Sequence, residues 1–513
     1  MNAARRAAFV LGLLLFAGAL LAPLPEGLSE SGRRTAAVTA LMAAWWIGEA
    51  VPIAATALLP LVLFPLLGIL PAPAVSQAYG DPVVFLFLGA FFVALAMERW
   101  GLHRRIALAM VGAVGSSPAR LVLGFLVATA FVSMWINNTA TTLMMFPVGV
   151  SVARHLAGGA TLDGVGGEAA RVAAERSFGA ALMLAIAYGA SLGGMGTLVG
   201  TAPNVVFAGS VRTLFPALPE VGFVPWMAIG TPVAALLVAA CFAAVLRLAP
   251  EVPLRRFDFG AGGREAVAHE RRALGPMSGA ERLVLAAFAA AAALWIFRTP
   301  LDLGVLRVPG WSELVAEPKG LHDATVAIGV GLVLMLVPAR GRAAPEGLRA
   351  PLLDWQTVQA GVPWGVLLLM GGGFALATAF EASGLSAWIG RRLEGLAGVP
   401  LPLLVLAVCA LTTVLSEIAS NTATATMLMP ILAATAQAIG APPLALLVPA
   451  TLAASCGFML PVATPPNTIV FSTGWISMRA MVRAGLALDL AGILVITLVC
   501  STLVPWVFAG RGG

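Results

Sequence analysis

Apolar stretches of about 20 residues recur along the whole chain, and they restrict its possible folds more than any other feature of the sequence. Residues 7–22, 225–246 and 487–509 are examples, each long enough to cross the hydrocarbon core of a bilayer as a helix. A helix pairs its backbone N–H and C=O groups internally, as hydrocarbon requires. We therefore predict an all-α polytopic membrane protein with about eleven transmembrane helices.

The composition supports a membrane protein and argues against a soluble domain, a nucleic-acid-binding protein and a disulfide or zinc framework. Hydrophobic residues make up 60% of the chain and charged residues only 11%, against about 25% charged residues in soluble domains. The net charge of +6 comes from arginines in connecting loops rather than along one helix face, so we expect it to set topology and not to bind nucleic acid. The four cysteines lie in apolar segments without CxxC spacing: Cys241, Cys409, Cys456 and Cys500. This placement argues against disulfides and a zinc site and favours packing roles.

The first apolar stretch follows Arg5 and Arg6, as a signal peptide would. The sequence after it, residues 23–34, lacks a small-residue cleavage site, so we expect a retained first helix and loop over 1–35. Arginines cluster in the connections at 99–105, 154–176 and 340–349. The positive-inside bias places these connections in the cytoplasm, which predicts a bacterial inner-membrane protein with its N-terminus inside and its C-terminus outside.

A polar element recurs between apolar arms. "INNTATT" at 136–142 is echoed by "ASNTATAT" at 419–426, which aligns Asn138 with Asn421 at an offset of 283 residues. The same offset aligns four other pairs: Gly89 with Gly372, Glu98 with Glu381, Gly101 with Gly384, and Pro147 with Pro430. We place five spans between the two elements. Because five is odd, the two copies enter the membrane from opposite faces, which makes the halves an inverted repeat, chiefly a transporter device.

A second pair of polar elements follows the first. "GTAPN" at 200–204 matches "ATPPN" at 463–467 at an offset of 263, and the surrounding glycines and prolines predict interrupted helices. The expected organisation is a first repeat over 36–249, a solvated cytoplasmic connection over 250–282 and a second repeat over 283–513. Within the repeats we expect scaffold helices and these elements: hairpins at 118–153 and 400–437, broken helices at 177–211 and 442–475, and a last helix at 484–509.

The polar tips of the hairpins suit ions of both signs. Asn and Thr side chains cap the descending helix, whose free N–H groups and positive dipole end attract an anion. Carbonyl, hydroxyl and amide oxygens at the end of the ascending helix suit a hard cation such as sodium. The charge pattern alone fits re-entrant hairpins and pairs of full spans equally well. The fold we expect has two re-entrant hairpins in addition to about eleven transmembrane helices.

Acidic residues near the repeats have different expected roles. Glu98 and Glu381 lie at the ends of their spans, which favours a solvated or connecting role. Glu417 is close to the second tip, where a carboxylate could tune ion binding. Asp489, in the last span, is interpreted as a buried, hydrogen-bonded scaffold group, with a proton path as the alternative.

The two Asn-Thr tips, "WWIGEAVP" at 45–52 and above all "SCGFMLPVATPPNTIVF" at 455–471 resemble the divalent anion/sodium symporter family, which carries dicarboxylates, citrate and sulfate. The resemblance covers residue 36 to the last span. It implies a homodimer in which a mobile domain moves the site across the membrane as an elevator past a static scaffold. It also implies sodium as the coupling ion, with no covalent cofactor.

The resemblance also implies the site residues. It assigns substrate contacts to Asn138, Thr139, Thr201, Asn421, Thr422, Thr464 and Pro465. It assigns one sodium ion to Ser133, Asn137, Asn138 and Gly200, and another to Ser416, Ala419, Asn421 and Ala463. The family's first tip usually reads Ser-Asn-Thr, whereas this chain has Asn137 in the first position. The larger side chain changes the geometry expected at the first sodium site.

The sequence leaves alternatives open for the identity of the substrate and for the coupling to sodium. Small residues near Thr201 and Thr464 favour C4-dicarboxylates such as succinate, malate or fumarate, while sulfate and citrate remain open. Lys319 and the arginines lie outside the expected midplane, so helix ends and bound cations must balance the dianion. The family also includes exchangers that use no sodium gradient.

Two other classes compete with a carrier. "GASLG" at 189–193 matches the G-x-S-x-G pattern of serine hydrolases around Ser191. A nucleophile needs a nearby base. The four histidines fall in loops or at segment ends: His103, His155, His269 and His322. We therefore predict that the chain is not an enzyme. A channel would repeat its filter by oligomeric symmetry, whereas here two non-identical halves converge in one chain.

Overall fold

The computed structural model describes residues 3–259, 262–302, 307–339 and 350–508. The helices of the first half are α1 Ala3–Leu21, α2 Glu30–Ile47, α3 Ile53–Thr56, α4 Leu59–Leu66, α5 Ala72–Tyr79, α6 Pro82–Arg99, α7 Leu102–Val114, α8 Pro118–Ser133, α9 Asn138–Gly158, α10 Glu168–Ala174, α11 Ala180–Gly194, α12 Ala202–Leu214 and α13 Phe223–Leu248. Those that follow are α14 Gly262–Ala273, α15 Gly279–Ile296, α16 Asp323–Leu336, α17 Trp355–Gly361, α18 Trp364–Ala382, α19 Leu385–Leu393, α20 Leu401–Ile418, α21 Asn421–Ala438, α22 Leu444–Ala453, α23 Pro465–Phe471 and α24 Met478–Phe508.

The all-α prediction is confirmed. In the described residues the strands are two-residue pieces that form two antiparallel pairs, β1 Thr161–Leu162 with β2 Phe257–Asp258 and β3 Leu301–Asp302 with β4 Arg307–Val308. Short helical turns complete the connections: a π-helical turn at Glu175–Gly179 and 3-10 turns at Leu254–Arg256, Trp311–Leu314, Pro318–Gly320 and Glu394–Gly398.

The polytopic membrane class is confirmed as well. The described part of the chain holds eight helical runs long and apolar enough to cross a bilayer: Ala3–Leu21, Ala72–Arg99, Glu168–Gly194, Phe223–Leu248, Gly279–Ile296, Trp364–Ala382, Leu401–Ile418 and Met478–Phe508. Four shorter apolar runs of 10–17 residues accompany them: Ile53–Leu66, Pro118–Ser133, Asp323–Leu336 and Leu444–Ala453. Length and composition do not fix how many of these helices cross, so about eleven spans remains a prediction.

The first helix packs as part of the fold. Phe9 stacks on Trp45 of α2 with the ring centroids 5.0 Å apart, and Trp45 Nε1 donates to the Phe9 carbonyl at 3.2 Å. The stacked aromatic rings and the hydrogen bond fix the position of α1 on α2. This packing agrees with the expectation that residues 7–22 form a helix of the protein.

Charged side chains gather in layers at the two ends of α6. At its N-terminal end, Arg212 approaches Asp81 at 3.4 Å and Arg298 pairs with Asp323 at 2.6 Å. At its C-terminal end lie the ion pairs Arg99–Asp354, Arg104–Glu270 and Arg105–Glu281, the last two at 2.7 Å. The apolar length of α6 thus lies between two polar layers, as expected for a helix that spans hydrocarbon.

The two halves repeat one another in their local structure. Gly101 after α6 and Gly384 after α18 both adopt the left-handed conformation, with φ of 70° and 73°. Each glycine opens the next short helix, α7 or α19. A Cβ atom at Gly361, before α18, would lie 2.3 Å from the Leu95 side chain near the end of α6. Helix α18 therefore begins on the side where α6 ends, as the inverted repeat predicts.

The hairpins and broken helices form the centre of the molecule. Helices α8 and α9 form the first hairpin, expected at 118–153, and α20 and α21 form the second, expected at 400–437. Each hairpin packs on the first arm of its own half's broken helix, α11 or α22, in which every residue is buried. The second arms cross over: α12 packs on α21 and α23 packs on α9. The four polar elements are therefore brought into one unit that neither half forms alone.

Three details differ from or extend the sequence-based expectations. Helix α24 starts at Met478, before the expected residue 484. The connection at 250–282 contains α14, whose Glu270 accepts hydrogen bonds from Arg104 of α7 and from Ser151 of α9, both at 2.7 Å. The four cysteines are free and buried, which confirms their predicted packing roles.

Candidate functional site

The first hairpin tip is closed by two side-chain amides. Asn137 caps α9, and its Oδ1 accepts the Ala140 N–H at 2.9 Å. Ser133, the last residue of α8, donates its hydroxyl to Asn138 Oδ1 at 2.9 Å. The cap satisfies one of the free N–H groups of α9, and the serine fixes the orientation of the Asn138 amide.

The second tip repeats the serine–asparagine contact. Ser416 Oγ lies 2.8 Å from Asn421 Oδ1 and 2.5 Å from the Ala454 carbonyl. Ser416 and Asn421 are the residues 283 positions after Ser133 and Asn138. The residue at the cap, Ser420, makes no side-chain capping bond, in contrast to Asn137. The two tips therefore share one contact and differ at the cap.

The breaks in the two helices are held open by one asparagine each. Asn204 Nδ2 donates to the Gly194 carbonyl at 2.9 Å and to the Thr197 carbonyl at 2.7 Å. Asn467 Nδ2 donates to the Gly457 and Leu460 carbonyls, each at 3.0 Å. These carbonyls lose their helical partners at the break, and the amide replaces them. The sequence motif marked both asparagines as landmarks but did not identify this role.

The same asparagines leave an acceptor unused. Both side chains are fully buried, and in the described residues neither Asn204 Oδ1 nor Asn467 Oδ1 has a hydrogen-bond partner. A buried unpaired acceptor costs about 1–3 kcal/mol. Each break therefore contains one asparagine whose side-chain nitrogen bridges two carbonyls and whose side-chain oxygen is unpaired in the described residues.

The first tip and the first break touch each other. A Cβ atom at Gly194 would lie 2.5 Å from Asn138 Oδ1 and 3.2 Å from Thr201 Cβ. At Gly200 a Cβ atom would lie 2.5 Å from the Gly194 carbonyl oxygen. Glycine is therefore required where the two chain segments meet. The structure brings Asn138, Gly200 and Thr201 together, as the sequence-based assignment expects.

The second tip and the second break meet in the same way. A Cβ atom at Gly457 would lie 3.2 Å from the Ser416 carbonyl oxygen, 3.4 Å from Ala463 Cβ and 3.7 Å from Asn421 Oδ1. Ser416, Asn421 and Ala463 therefore surround one point. Three of the four residues assigned to the second sodium ion form this cluster, and Ala419 follows as the buried residue that ends α20.

The other predicted substrate residues lie at helix starts. Thr139 and Thr422 are the second residues of α9 and α21 and are half-buried. Thr464 is buried and caps α23, with Oγ1 3.4 Å from the Asn467 N–H donor, whereas Thr201 caps α12 without a side-chain bond. Pro465 is exposed. The first break is thus buried throughout, while the second is exposed on one side.

The tips and breaks are free of ion pairs. None of the ion pairs formed by the described residues includes a residue of 133–142, 194–201, 416–426 or 457–465. Apart from the buried Glu417 carboxyl group, the groups available to a ligand are helix N-termini, hydroxyls, amides and carbonyls. Such a set can bind an anion at the N–H groups and a hard cation at the oxygens.

A cavity of about 340 Å³ lies away from these residues. It is lined by Arg212 of α12, the connection 216–221 and His322. Leu198 of the first break reaches its wall, but none of the predicted substrate or sodium residues does. The geometry of the tips, and not this cavity, therefore defines the candidate site.

Comparison with known proteins decides the family. The profile described as the sodium:sulfate symporter transmembrane region matches residues 3–509. The chain belongs to the sodium:sulfate symporter family. This membership confirms the resemblance found from the tip motifs and identifies an integral membrane transport protein.

Relatives of this symporter family member match over nearly the full chain. The sodium-dependent dicarboxylate transporter SdcS of Staphylococcus saprophyticus is 40% identical over 507 residues, covering 98% of this chain and 92% of the relative. The protein of the same name from Staphylococcus aureus strain MRSA252 is 38% identical, covering 97% and 90%.

Solved structures share the fold at low sequence identity. The Alcanivorax borkumensis YdaH transporter has a TM-score of 0.54 and 14% identity, covering 99% of this chain and 98% of that one. Neisseria gonorrhoeae MtrF has a TM-score of 0.56 and 14% identity, covering 97% and 95%. These likenesses support the all-α transporter fold of the symporter family member.

The hydrolase alternative is set aside by the family. Symporters transport their substrates, which confirms the prediction that the chain is not an enzyme. Ser191 also lacks the surroundings of a nucleophile, because its side chain is fully buried in α11 and its hydroxyl has no hydrogen-bond partner in the described residues.

Proposed function

We propose that this chain is a sodium-coupled carrier of dicarboxylates. The observation that carries the proposal is the serine–asparagine contact found at both hairpin tips, Ser133–Asn138 and Ser416–Asn421, each beside a break in a helix. The relatives named as sodium-dependent dicarboxylate transporters support the choice of ion and substrate class. The dicarboxylate and its sodium ions would then bind at two symmetric clusters, one at each hairpin tip.

The chemistry of the tips explains how a dianion is bound without arginine or lysine. The first N–H groups of α9 and α21 carry the positive ends of two helix dipoles, and Thr139 and Thr422 add hydroxyl donors. Sodium ions at the oxygen clusters bring further positive charge, so cation and dianion stabilise each other. Each ligand raises the affinity for the other by the same factor, which is the thermodynamic basis of symport.

The substrate we favour is a C4-dicarboxylate such as succinate, malate or fumarate. Thr201 and Thr464 stand at the two helix breaks with glycine, alanine and proline beside them. Small side chains suit a short, unbranched dianion better than bulky citrate. Sulfate, which the family description names, is the remaining alternative and enters the test below.

We also assign the transport mechanism to an elevator in a homodimer. The packing of the two hairpins against the two broken helices supports a single mobile unit. The N-terminus would lie in the cytoplasm of a bacterial inner membrane and the C-terminus outside. The layer that contains Arg99, Arg104 and Arg105 would then face the cytoplasm, in agreement with the positive-inside bias.

The test is uptake of labelled succinate into proteoliposomes. One preparation has an inward sodium gradient and an empty lumen, and the other has internal unlabelled dicarboxylate and no sodium. Uptake driven by sodium alone supports the symporter. Uptake that needs only internal dicarboxylate overturns sodium coupling, and labelled sulfate and citrate in the same vesicles test the substrate class.

The second candidate is a sodium-independent exchanger, and one observation favours it. Asn137 stands where the family usually has serine, and its Oδ1 is occupied by the Ala140 N–H. That oxygen is therefore less available to a sodium ion. An Asn137→Ser variant separates the two candidates, because restored sodium stimulation in an otherwise sodium-independent protein would identify the exchanger.

A further inference from the structure

The last helix has one face that points away from the rest of the molecule. Exposed side chains follow one another along α24 at a spacing of three or four residues, which places them on one side of the helix. This outer face of α24 consists of Arg479, Arg483, Leu486, Leu490 and Leu494. It is therefore cationic at the start of the helix and apolar beyond.

The length of α24 fits the thickness of a bilayer. Trp506, which is exposed near the end of the helix, follows Arg483 by 23 positions. That separation is about 35 Å along a helix, slightly more than the roughly 30 Å of hydrocarbon in a bilayer. Tryptophan favours the membrane–water interface. The leucines of the outer face therefore lie in hydrocarbon, and Arg479 and Arg483 lie at the level of the lipid headgroups on the opposite side from Trp506.

A neighbouring helix ends beside these arginines. The Arg483 guanidinium donates to the carbonyl of Leu248, the last residue of α13, at 3.0 Å. Arg247 precedes Leu248 and is exposed, and it lies about three turns from the exposed Leu236 on the same side of α13. The end of α13 and the start of α24 thus bring Arg247, Arg479 and Arg483 together.

The protein leaves the charge of these three arginines unpaired. None of the ion pairs formed by the described residues includes any of them. The connection after α13 adds one exposed carboxylate, Glu251, and one exposed arginine, Arg255, so the charge there stays positive. In contrast, Arg104 and Arg105 of α7 each pair with a carboxylate at 2.7 Å. A counter-charge is thus left to a partner outside the chain.

A second copy of the chain fits the outer face of α24 poorly. Two copies inserted in the same direction and related by a twofold axis would meet through identical surfaces. Contact through α24 would then place the arginines of one copy against those of the other, which like charges disfavour. An anionic phospholipid supplies acyl chains for the leucines and a negative headgroup for the arginines, so it complements both parts of the face.

We propose that Arg247, Arg479 and Arg483 bind the headgroup of one anionic phospholipid, whose acyl chains lie on the leucines of the outer face of α24. The chain continues from α13 into α14, whose Glu270 pairs with Arg104. The headgroup is therefore at the end of the molecule that holds the α7 arginines. In the orientation proposed above, that end faces the cytoplasmic leaflet.

The two helices that carry this lipid site also contact the helix breaks. Trp226 Nε1 of α13 donates to the Met195 carbonyl at the first break at 3.0 Å. A Cβ atom at Gly485 of α24 would lie 2.4 Å from the Phe458 carbonyl oxygen at the second break. A headgroup that bridges α13 and α24 stabilises the packing around both breaks, so the stability of the protein should depend on anionic lipid.

Lipid binding can be measured without any transport assay. Native mass spectrometry of the purified protein compares the retention of added phosphatidylglycerol with that of phosphatidylcholine with the same acyl chains. The wild type should retain phosphatidylglycerol preferentially. Arg247→Gln combined with Arg479→Gln should lower the affinity for phosphatidylglycerol by about thirtyfold, about fivefold for each arginine near a charged headgroup. The affinity for phosphatidylcholine should not change.

The matched control removes the same charge from the solvated side of α14. Arg271→Gln combined with Arg272→Gln changes two exposed arginines that do not adjoin an apolar helix face, and it should bind phosphatidylglycerol as the wild type does. Equal losses in both double variants, or no preference of the wild type for phosphatidylglycerol, would overturn the proposal. If the first double variant fails to fold, Arg479→Gln alone should show the fivefold loss.

Thermal unfolding and cross-linking separate the lipid from other occupants. Added phosphatidylglycerol should raise the melting temperature of the wild type and of the α14 control more than that of Arg247→Gln with Arg479→Gln. Stabilisation of the wild type by soluble glycerol phosphate to the same degree would identify a free phosphate as the ligand and contradict the lipid. A disulfide formed between two copies of Leu490→Cys in the membrane would show that a second copy covers the face, which also contradicts the proposal.

Discussion

At the scale of single residues, short polar side chains take over the bonding that a continuous helix would supply. Asn204 and Asn467 each bridge two carbonyls at a break, and Ser133 and Ser416 each contact the asparagine that follows the turn. Unpaired backbone groups in hydrocarbon cost several kcal/mol each, so these few side chains make interruptions possible inside the membrane.

The tip residues give the first prediction. Asn138→Ala and Thr422→Ala should abolish dicarboxylate uptake, because each removes a polar group from the substrate clusters. Size-exclusion chromatography should show the oligomer of the wild type in both variants. The matched control is Thr378→Ala, whose hydroxyl, among the residues that the structure describes, bonds only the Phe374 carbonyl of its own helix. Normal uptake by either tip variant would refute the site.

The bridging amides give the second prediction. Asn204→Ala leaves the Gly194 and Thr197 carbonyls without their side-chain donor and should lower the free energy of unfolding by about 1–3 kcal/mol. Thermal unfolding in detergent measures this loss. The control is Gln437→Ala at an exposed position of α21, and an Asn204→Ala transition equal to that of the control would show that water replaces the amide.

At the scale of elements, close approach between helices depends on glycine. A Cβ atom at Gly193 of α11 would lie 2.0 Å from the Ala130 carbonyl of α8, and one at Gly189 would lie 2.8 Å from the Leu126 carbonyl. The obstacle is backbone in both cases, so no side chain can move aside. Small residues at such crossings are the means by which membrane helices pack.

Gly193→Ala tests this packing. The added methyl group must push α11 away from α8, so we expect loss of uptake and a large fall in thermal stability, beyond the roughly 1–3 kcal/mol typical of overpacking. Gly329→Ala in α16 is the matched control, because nothing lies within 4 Å of its Cβ position. There the higher helix propensity of alanine should leave stability unchanged or raise it by up to about 1 kcal/mol.

A helix cap outside the spans gives a prediction with a pH dependence. Asp354 caps α17, and the Thr357 N–H bond at 2.7 Å, together with Arg99, lowers the pKa of Asp354 below its usual value of 3.8. A lowered pKa means stabilisation that is present above the unfolded-state pKa and is lost as the pH falls through the folded-state pKa.

Asp354→Ala should therefore reduce stability by about 1 kcal/mol at pH 7. Asp354→Asn, which retains the cap but loses the charge, should have a smaller effect. Thermal unfolding of the wild type and of Asp354→Asn should converge when the pH is lowered below the 3.8 of an ordinary aspartate. Curves that stay equally far apart at acidic pH would exclude the charge as the cause.

At the scale of the whole molecule, the sequence was informative where physics leaves few alternatives. The apolar stretches required helices, and two constant offsets along the chain related Asn138 to Asn421 and Asn204 to Asn467. The crossing of α12 onto α21 and of α23 onto α9 could not be predicted, because helix pairing between distant segments leaves no pattern in one sequence.

Helix α14 shows a different limit. Its charged face, with Glu270 and Arg271, made the connection at 250–282 look like a solvated loop. In the structure Glu270 is 8% exposed because Arg104 and Ser151 surround it. Charge in a sequence does not reveal whether partners bury it.

The orientation of the molecule can be tested with single introduced cysteines. The four native cysteines are buried and are not in disulfides, so they can be replaced first. In intact cells, a membrane-impermeant maleimide should label Leu314→Cys, at a side chain 88% exposed in the connection between α15 and α16. It should label Arg272→Cys of α14 only after permeabilisation. The reverse pattern would show that the N-terminus lies outside.

The crossing of the second arms bears on how such a chain could arise. The second arm of each half's broken helix packs against the hairpin of the other half, so a half-length ancestor would have formed this central unit only as two copies inserted in opposite directions. Joining the copies in one polypeptide fixed their stoichiometry and their opposed insertion, and it freed each to diverge. Met134 in the first half, against the acidic Glu417 at the position 283 residues later in the second half, records that divergence.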